Sequence, residues 1–295
     1  YGFRVPAGAV LTAAAYARLM AEPELSRQQE ALEAITAGDA LSPGNVERLE
    51  QMQATIMRTS LPAEIVEDVR AFLTRSHLES VPVAVRSSAT SEDGAAASFA
   101  GIHTSRLGQV GLDAVLDSIR ACYASLWTPR AVAYRRRLGL RDEDVLCAIV
   151  LCRMVGAGDD PTRLPVAAGV AFSCDPRTGR RDVVTIGAVR GLGEAVVSGD
   201  ANPEEIVVET GWLTAVRERQ SGGEHKDVLG DDLAVRLAHL VKRVEWALGD
   251  GQDAQDVEWA FDGSSFWLVQ ARPVTRMPRY TFPGAERLPV VWSNA

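Results

Sequence analysis

Asp256-Val-Glu-Trp-Ala-Phe261 and Phe266-Trp-Leu-Val-Gln-Ala-Arg272, separated by Asp262-Gly-Ser-Ser265, decide how this chain is read. Each run alternates. In the first, Val257, Trp259 and Phe261 form an apolar face, and Asp256 and Glu258 fall on the other. In the second, Trp267, Val269 and Ala271 make the apolar set, while Gln270 and Arg272 point the opposite way. Period-two alternation around a Gly-containing turn predicts a β-hairpin. If the register sets Glu258 opposite Gln270, one side presents Glu, Gln and Arg together. A carboxylate and an amide oxygen suit a hard cation such as Mg²⁺, and an adjacent guanidinium suits a phosphate. From these residues alone, a solvated polar face explains the hairpin equally well.

Upstream segments break that tie. Val83-Ala-Val-Arg-Ser-Ser-Ala-Thr-Ser-Glu-Asp93, followed by Ala97-Ser-Phe-Ala-Gly101, resembles the nucleotide-binding loop of the phosphoenolpyruvate synthase and pyruvate phosphate dikinase family. Gly191-Leu-Gly-Glu-Ala-Val-Val-Ser-Gly199 resembles its second glycine signature, and Asp256-Val-Glu-Trp-Ala with Leu268-Val-Gln-Ala-Arg-Pro273 its closing hairpin. These matches occur in family order. The resemblance implies the family's N-terminal module, an ATP-grasp-type domain that binds ATP and Mg²⁺ and starts phosphoryl transfer. Rifamycin phosphotransferases share that module.

Composition agrees with a globular domain. The chain has 295 residues, 46% hydrophobic and 24% charged, enough for a large core in one or two domains. A net charge of −8 argues against nonspecific nucleic-acid binding. The four cysteines show no metal-ligand spacing, so buried free thiols in a reducing cytoplasm are expected. No apolar run is long enough to span a bilayer, and no signal peptide is evident.

Along the chain, the pattern predicts a strand entering near Val5-Pro6, then helices over 13–21, 26–37, 43–58 and 62–76. A short strand, Val81–Val85, is expected to deliver Arg86 to a loop over 87–105. Two helices follow, the second opened by Thr128-Pro129 as N-cap and first helical residue. Strands are expected at Val145–Leu151, Val166–Phe172 and Val183–Val189, with an amphipathic helix at 231–249. The fold class is α+β and ATP-grasp-like, with a nucleotide cleft between two subdomains. The first subdomain is expected at 1–152, the second at 153–275, and a linker to an absent domain at 276–295.

Individual residues acquire roles mainly through the resemblance. Alone, Arg86 beside a small polar loop reads as a surface arginine. The resemblance places Arg86, Gly101 and Ser105 at nucleotide-contacting positions, where a planar guanidinium clamps phosphate oxygens. The family meets adenine through a Gln-x-Met-Val stretch; here Cys152-Arg153-Met-Val155 stands there. A thiol is a weak hydrogen-bond partner, so base recognition is left to the backbone of Arg153 and Val155. Glu258 and Gln270 are the expected metal ligands, and Arg86 and Arg272 the catalytic arginines. Gly191-Leu-Gly lacks the third glycine of a dinucleotide fingerprint and reads as a tight turn. Asp175-Pro-x-Thr-Gly179 is explained by turn chemistry. His103 reads as a loop histidine.

The family's phosphate-binding lysine segment and its phosphohistidine motif are not found in this sequence. The expectation is therefore one part of a larger, cytoplasmic ATP-dependent phosphotransferase. A swivelling phosphohistidine domain and an acceptor-binding domain would be its partners, and pyruvate or a drug-like hydroxyl the final acceptor. An activation module of a natural-product condensing enzyme and an inactive nucleotide-binding fragment are the alternatives.

Overall fold

The structure, a computed structural model, describes residues 2–89, 105–158, 160–197, 199, 201–211, 213–223, 225–274, 277 and 278. The chain divides into two compact units. One is Pro6–Arg163; the other joins Tyr1–Val5 to Leu164–Ala295.

The first unit is a four-stranded sheet with helices on one face. The strands are β1 (Gly8–Leu11), β2 (Val83–Ala89), β3 (Ser105–Gln109) and β4 (Cys147–Arg153), in the order β1-β4-β2-β3. The helices are α1 (Ala13–Met20), α2 (Pro23–Leu32), α3 (Pro43–Arg58), α4 (Ala63–Arg75), α5 (Leu112–Ser125) and α6 (Pro129–Arg137). Helix starts follow local chemistry. Pro23, Pro43 and Pro129 occupy the first turn, where the missing N–H costs nothing. The Thr128 hydroxyl caps α6 by accepting from the Ala131 N–H at 3.3 Å. Leu49, Met52 and Ile56 of α3 and Ile119, Cys122 and Tyr123 of α5 meet Val83, Val85, Ile149 and Leu151 in one buried cluster.

That cluster contains a polar hub that the sequence did not announce. Arg135 is only 2% exposed. Its Nε donates to Asp142 at 2.7 Å, and its guanidinium lies 4.7 Å from the Trp127 ring centroid. Trp127 in turn donates to the Tyr16 hydroxyl at 3.1 Å. A buried cation is tolerated only when paired in this way.

The second unit is a six-stranded antiparallel sheet backed by one long helix. Its strands are β5 (Ala167–Phe172), β6 (Val183–Arg190), β7 (Glu204–Glu209), β8 (Ala215–Gln220), β9 (Gln255–Phe261) and β10 (Phe266–Pro273). Their order is β10-β9-β5-β6-β7-β8. A short helix, α7 (Glu194–Val197), follows the Gly191 turn, and α8 (Asp231–Gly249) packs Leu237, Val241 and Val244 onto Val184, Ile186, Ile206, Val257 and Trp259. Asp231 and Asp232 in its first turn complement the helix dipole. Lys242 holds three segments together: its ammonium donates to Ser173 O at 2.6 Å, Arg181 O at 2.9 Å and Glu245 at 2.8 Å.

Several expectations need correcting. Arg86 lies inside β2, paired to Val150 of β4 and Ser105 of β3, and is not at a loop mouth. The strand runs on because Ser87 and Ser88 find backbone partners opposite Ile149 and Ala148. The end of the expected 87–105 loop is strand β3. Helix α2 starts at Pro23 and ends at Leu32. Strands β7 and β8 were not expected, β8 being a polar edge strand with little apolar alternation. Leu248, expected on the buried side of α8, is 63% exposed at the helix end.

The hairpin itself departs from strict alternation. Phe266 and Leu268 are the buried residues of β10, and Trp267 and Val269 are not. A bulge lies between Leu268, opposite Trp259, and Gln270, opposite Glu258. One extra residue reverses the phase, so Ala271 still faces the core while Gln270 and Arg272 face away. Trp267 instead donates its Nε1–H to Asp262 at 2.7 Å.

Trp259→Ala is therefore expected to cost on the order of 3–5 kcal/mol of stability, and Trp267→Ala less, about 1.5–3 kcal/mol, the worth of a hydrogen bond to a carboxylate. Denaturant unfolding of both variants checks the contrast. Asp142→Ala strands the Arg135 charge and is expected to cost about 3–5 kcal/mol in the same assay.

Candidate functional site

In the second unit, one sheet face carries α8 and the opposite face carries the polar side chains of the hairpin. Register alone brings four of them together: Gln270 sits opposite Glu258 and Arg272 opposite Asp256. Arg272 Nε and Nη2 both lie 2.9 Å from Asp256 Oδ2. The carboxylate thereby fixes the direction of the guanidinium. Asp256 Oδ1 is buried and has no hydrogen-bond donor among the described residues. Burial pushes the Asp256 carboxyl above its ordinary range; Arg272 pulls it down and Glu258 pushes it up. Among the described residues no group of three or more His, Cys, Asp and Glu side chains assembles as a metal cage.

The donor set still suits Mg²⁺ borne by phosphate oxygens. Such an ion keeps several waters and takes one or two protein oxygens. The Glu258 carboxylate and the Gln270 amide, directly opposed across two strands, supply that number, and Asp256 Oδ1 on the same face is an acceptor with no donor among the described residues.

In the first unit, the sheet face away from the helices carries Arg86, Val150 and Cys152. Arg86 is the register partner of Val150 and of Ser105, and Cys152 is the partner of Ala84 and of Gly8. Val150, Cys152 and Arg86 are all half-buried, and Val10 beyond them is 59% exposed. Burial pushes the Cys152 thiol up, and the nearby Arg86 cation draws it down. The Arg153 N–H donates to Ala7 O at 2.9 Å, which engages one of the two backbone groups expected to meet a base. Val155 follows in the connection after β4. Gly101 and His103 lie outside the described residues.

The glycine signature is a tight turn, as its chemistry predicts. Gly191 has φ +77°, where side chains are strained, and a Cβ on Gly193 would stand 3.2 Å from the backbone nitrogen of Gly169. At the Asp175 turn, the carboxylate accepts from Arg177 N at 2.9 Å and Thr178 Oγ1 at 2.8 Å. Neither lysine adds to the polar faces described: Lys242 is spent on the Ser173–Arg181–Glu245 contacts. Sequence reasoning overlooked Asp256 as a partner for Arg272. The signal was present, because Asp256 alternates with Glu258.

A half-buried guanidinium beside a hydroxyl-bearing strand in one unit, and a carboxylate, amide and oriented guanidinium in the other, are groups whose chemistry suits anionic phosphates and a cation. Residues 1–228 and 213–281 match the family described as pyruvate phosphate dikinase, AMP/ATP-binding domain. The chain belongs to that family, as an N-terminal ATP-binding domain. It is 38% identical over 299 residues to a rifampicin phosphotransferase of Streptomyces sviceus, covering 94% of this chain and 32% of that protein. It is 32% identical over 296 residues to a rifampicin phosphotransferase of Bacillus subtilis, covering 94% and 33%. It is 34% identical over 264 residues to a phosphoenolpyruvate synthase of Pyrococcus furiosus, covering 78% and 31%. The chain thus spans about a third of the length of these relatives. No helix among the described residues is long and apolar enough to cross a membrane.

The four thiols supply a test of the Arg86 face. Cys122 is pushed up to about 12 by burial, so at pH 8 it is expected to stay unlabelled by an alkylating reagent until the protein unfolds. Half-buried Cys152 should label slowly, and faster as pH rises toward its raised value. Arg86→Ala removes the cation that favours the thiolate and is expected to slow Cys152 labelling at fixed pH. Peptide-resolved mass spectrometry reads both effects.

Proposed function

We propose that this domain binds Mg²⁺-ATP and begins a phosphoryl transfer. The observation that carries the reading is the register that sets Gln270 opposite Glu258 and Arg272 opposite Asp256 on the face away from the core. The ATP-grasp-like reading equates the subdomains expected at 1–152 and 153–275 with the two units, and has both address one nucleotide; it rests on the family resemblance.

In this reading Arg86 and Arg272 neutralise phosphate oxygens by charge-assisted hydrogen bonds. Asp256 keeps Arg272 oriented, so less freedom is lost when phosphate arrives. Glu258 and Gln270 hold the cation. When bound, Mg²⁺ would supply positive charge to offset the negative charge that builds on the phosphate. Ser105 offers a hydroxyl next to Arg86, and Gly101 keeps the nucleotide-contacting role that the resemblance implies. Base recognition falls to the backbone around Cys152, Arg153 and Val155. With the Arg153 N–H held by Ala7 and a thiol in place of an amide, base selectivity is expected to be low.

Phosphoryl transfer then passes to a histidine on a swivelling domain and on to an acceptor in a further domain, in a cytoplasmic enzyme. A drug-like hydroxyl is the acceptor we favour over pyruvate, because the 38% identical relative is named rifampicin phosphotransferase and the phosphoenolpyruvate synthase stands at 34%.

Calorimetric titration with a nonhydrolysable ATP analogue and Mg²⁺ tests the reading; no heat and no thermal shift at millimolar nucleotide would sink it. Arg86→Ala and Arg272→Ala are each expected to weaken binding by roughly 1.5–3 kcal/mol, the range for hydrogen bonds to charged groups. Glu258→Gln should reduce the Mg²⁺ dependence of binding with circular dichroism unchanged. An unaltered Mg²⁺ dependence would remove Glu258 from the metal site.

A further inference from the structure

The phase of β10 decides whether Gln270 and Arg272 face the site or the core, so whatever fixes the bulge fixes the site. β10 is the outer strand of its sheet, paired to β9 on one side. On its other side it meets Arg4, in the strap of residues 2–5 that belongs to this unit although Pro6 begins the other. The Leu268 N–H, at the start of the bulge, donates to Arg4 O at 2.9 Å. Two side chains seat that carbonyl. The Arg4 guanidinium lies 5.9 Å from the Trp267 ring centroid. Phe3 packs against the unit's core and has the Arg243 guanidinium 5.4 Å from its own ring centroid.

Alternation alone puts Gln270 and Arg272 on the same side as the buried Phe266 and Leu268. The single unpaired residue at Val269 reverses this. Loss of the bulge would slip the following pairs by one residue and turn their side chains to the opposite face. The turn on the other side is pinned separately, because Asp262 Oδ1 accepts from the N–H groups of Ser264 and Ser265, each at 2.7 Å. The strap therefore supplies the outer hydrogen bond at the point where the register changes.

We propose that Phe3 and Arg4 are positioning residues that hold the β10 bulge at Val269 and so present Gln270 and Arg272 to Glu258 and Asp256. Neither strap side chain belongs to the polar face. They act through the strand, and the proposal rests on the nucleotide reading only where it predicts affinity.

Two measurements test it on the whole chain. The first reads register without nucleotide. Glu258→Cys with Gln270→Cys places thiols on directly opposed residues, where a disulfide is sterically allowed. Its yield, followed by peptide mapping, is expected to fall when Phe3→Ala and Arg4→Ala are added and to recover with Phe3→Leu in place of Phe3→Ala. An unchanged yield overturns the proposal. Should the doubly altered strap fail to fold, Arg4→Ala alone, at an exposed side chain, carries the same comparison.

The second measurement is a double-mutant cycle on Mg²⁺-ATP-analogue affinity. The strap variant is expected to bind roughly two- to tenfold more weakly, as for loss of an exposed cation–π contact and its neighbour. That loss should be smaller in an Arg272→Ala background, where only the positioning of Gln270 is left to lose. Additive losses overturn the positioning role, since a general effect on stability would act equally in both backgrounds. If Arg272→Ala itself leaves affinity unchanged, the nucleotide reading falls, and the disulfide yield still decides the strap.

Discussion

One unpaired residue in the last strand, Val269, governs the chemistry of the second unit. Before it, β10 alternates with Phe266 and Leu268 buried against Trp259 and Phe261; Phe266 stands 5.6 Å from Trp259 and 4.8 Å from Phe261, ring centroid to centroid. After it, Ala271 takes the core side and Gln270 and Arg272 the other. The buried aromatic cluster and the polar face are two consequences of one register. Aromatic burial holds the hairpin in place with far more free energy than the polar pairs contribute, which leaves the polar side chains free to be chosen for binding.

The first unit follows the same division. Helices α1, α3 and α5 cover one face of its sheet, and a buried Arg135–Asp142 pair fixes how α6 returns to that core. The opposite face is left with Arg86, Val150 and Cys152. A guanidinium on that face is half-buried, and its charge is felt by the Cys152 thiol. Each unit thus buries one side of its sheet under helices and carries charged or polar side chains on the other.

Much of this was legible in the sequence, and the losses have physical causes. Long amphipathic helices and apolar strands were read correctly because burial imposes their period. The opposition of Glu258 and Gln270 was a conditional reading of the hairpin, and the register bears it out. The apolar set of β10 was misassigned because alternation carries no mark of a bulge; Trp267 resembles a core residue until its indole N–H is seen to be held by Asp262. Arg86 was placed at a strand end because Ser87 and Ser88 look like loop residues, while their backbone groups pair with β4 regardless of side chain. β8 was missed because an edge strand can be polar on both faces. The buried Arg135 hub rests on contacts between Tyr16, Trp127, Arg135 and Asp142, far apart in sequence in part, which no local pattern encodes.

The central claim is the proposed binding of Mg²⁺-ATP at the polar hairpin face of the second unit. Backbone amide chemical shifts followed through a titration with Mg²⁺ and a nonhydrolysable ATP analogue test it most directly. Saturating shifts are expected at Glu258, Gln270 and Arg272, with Leu237 and Val241 of α8 little changed. Shifts centred on the α8 side of the sheet, or no shifts at the hairpin, would contradict it.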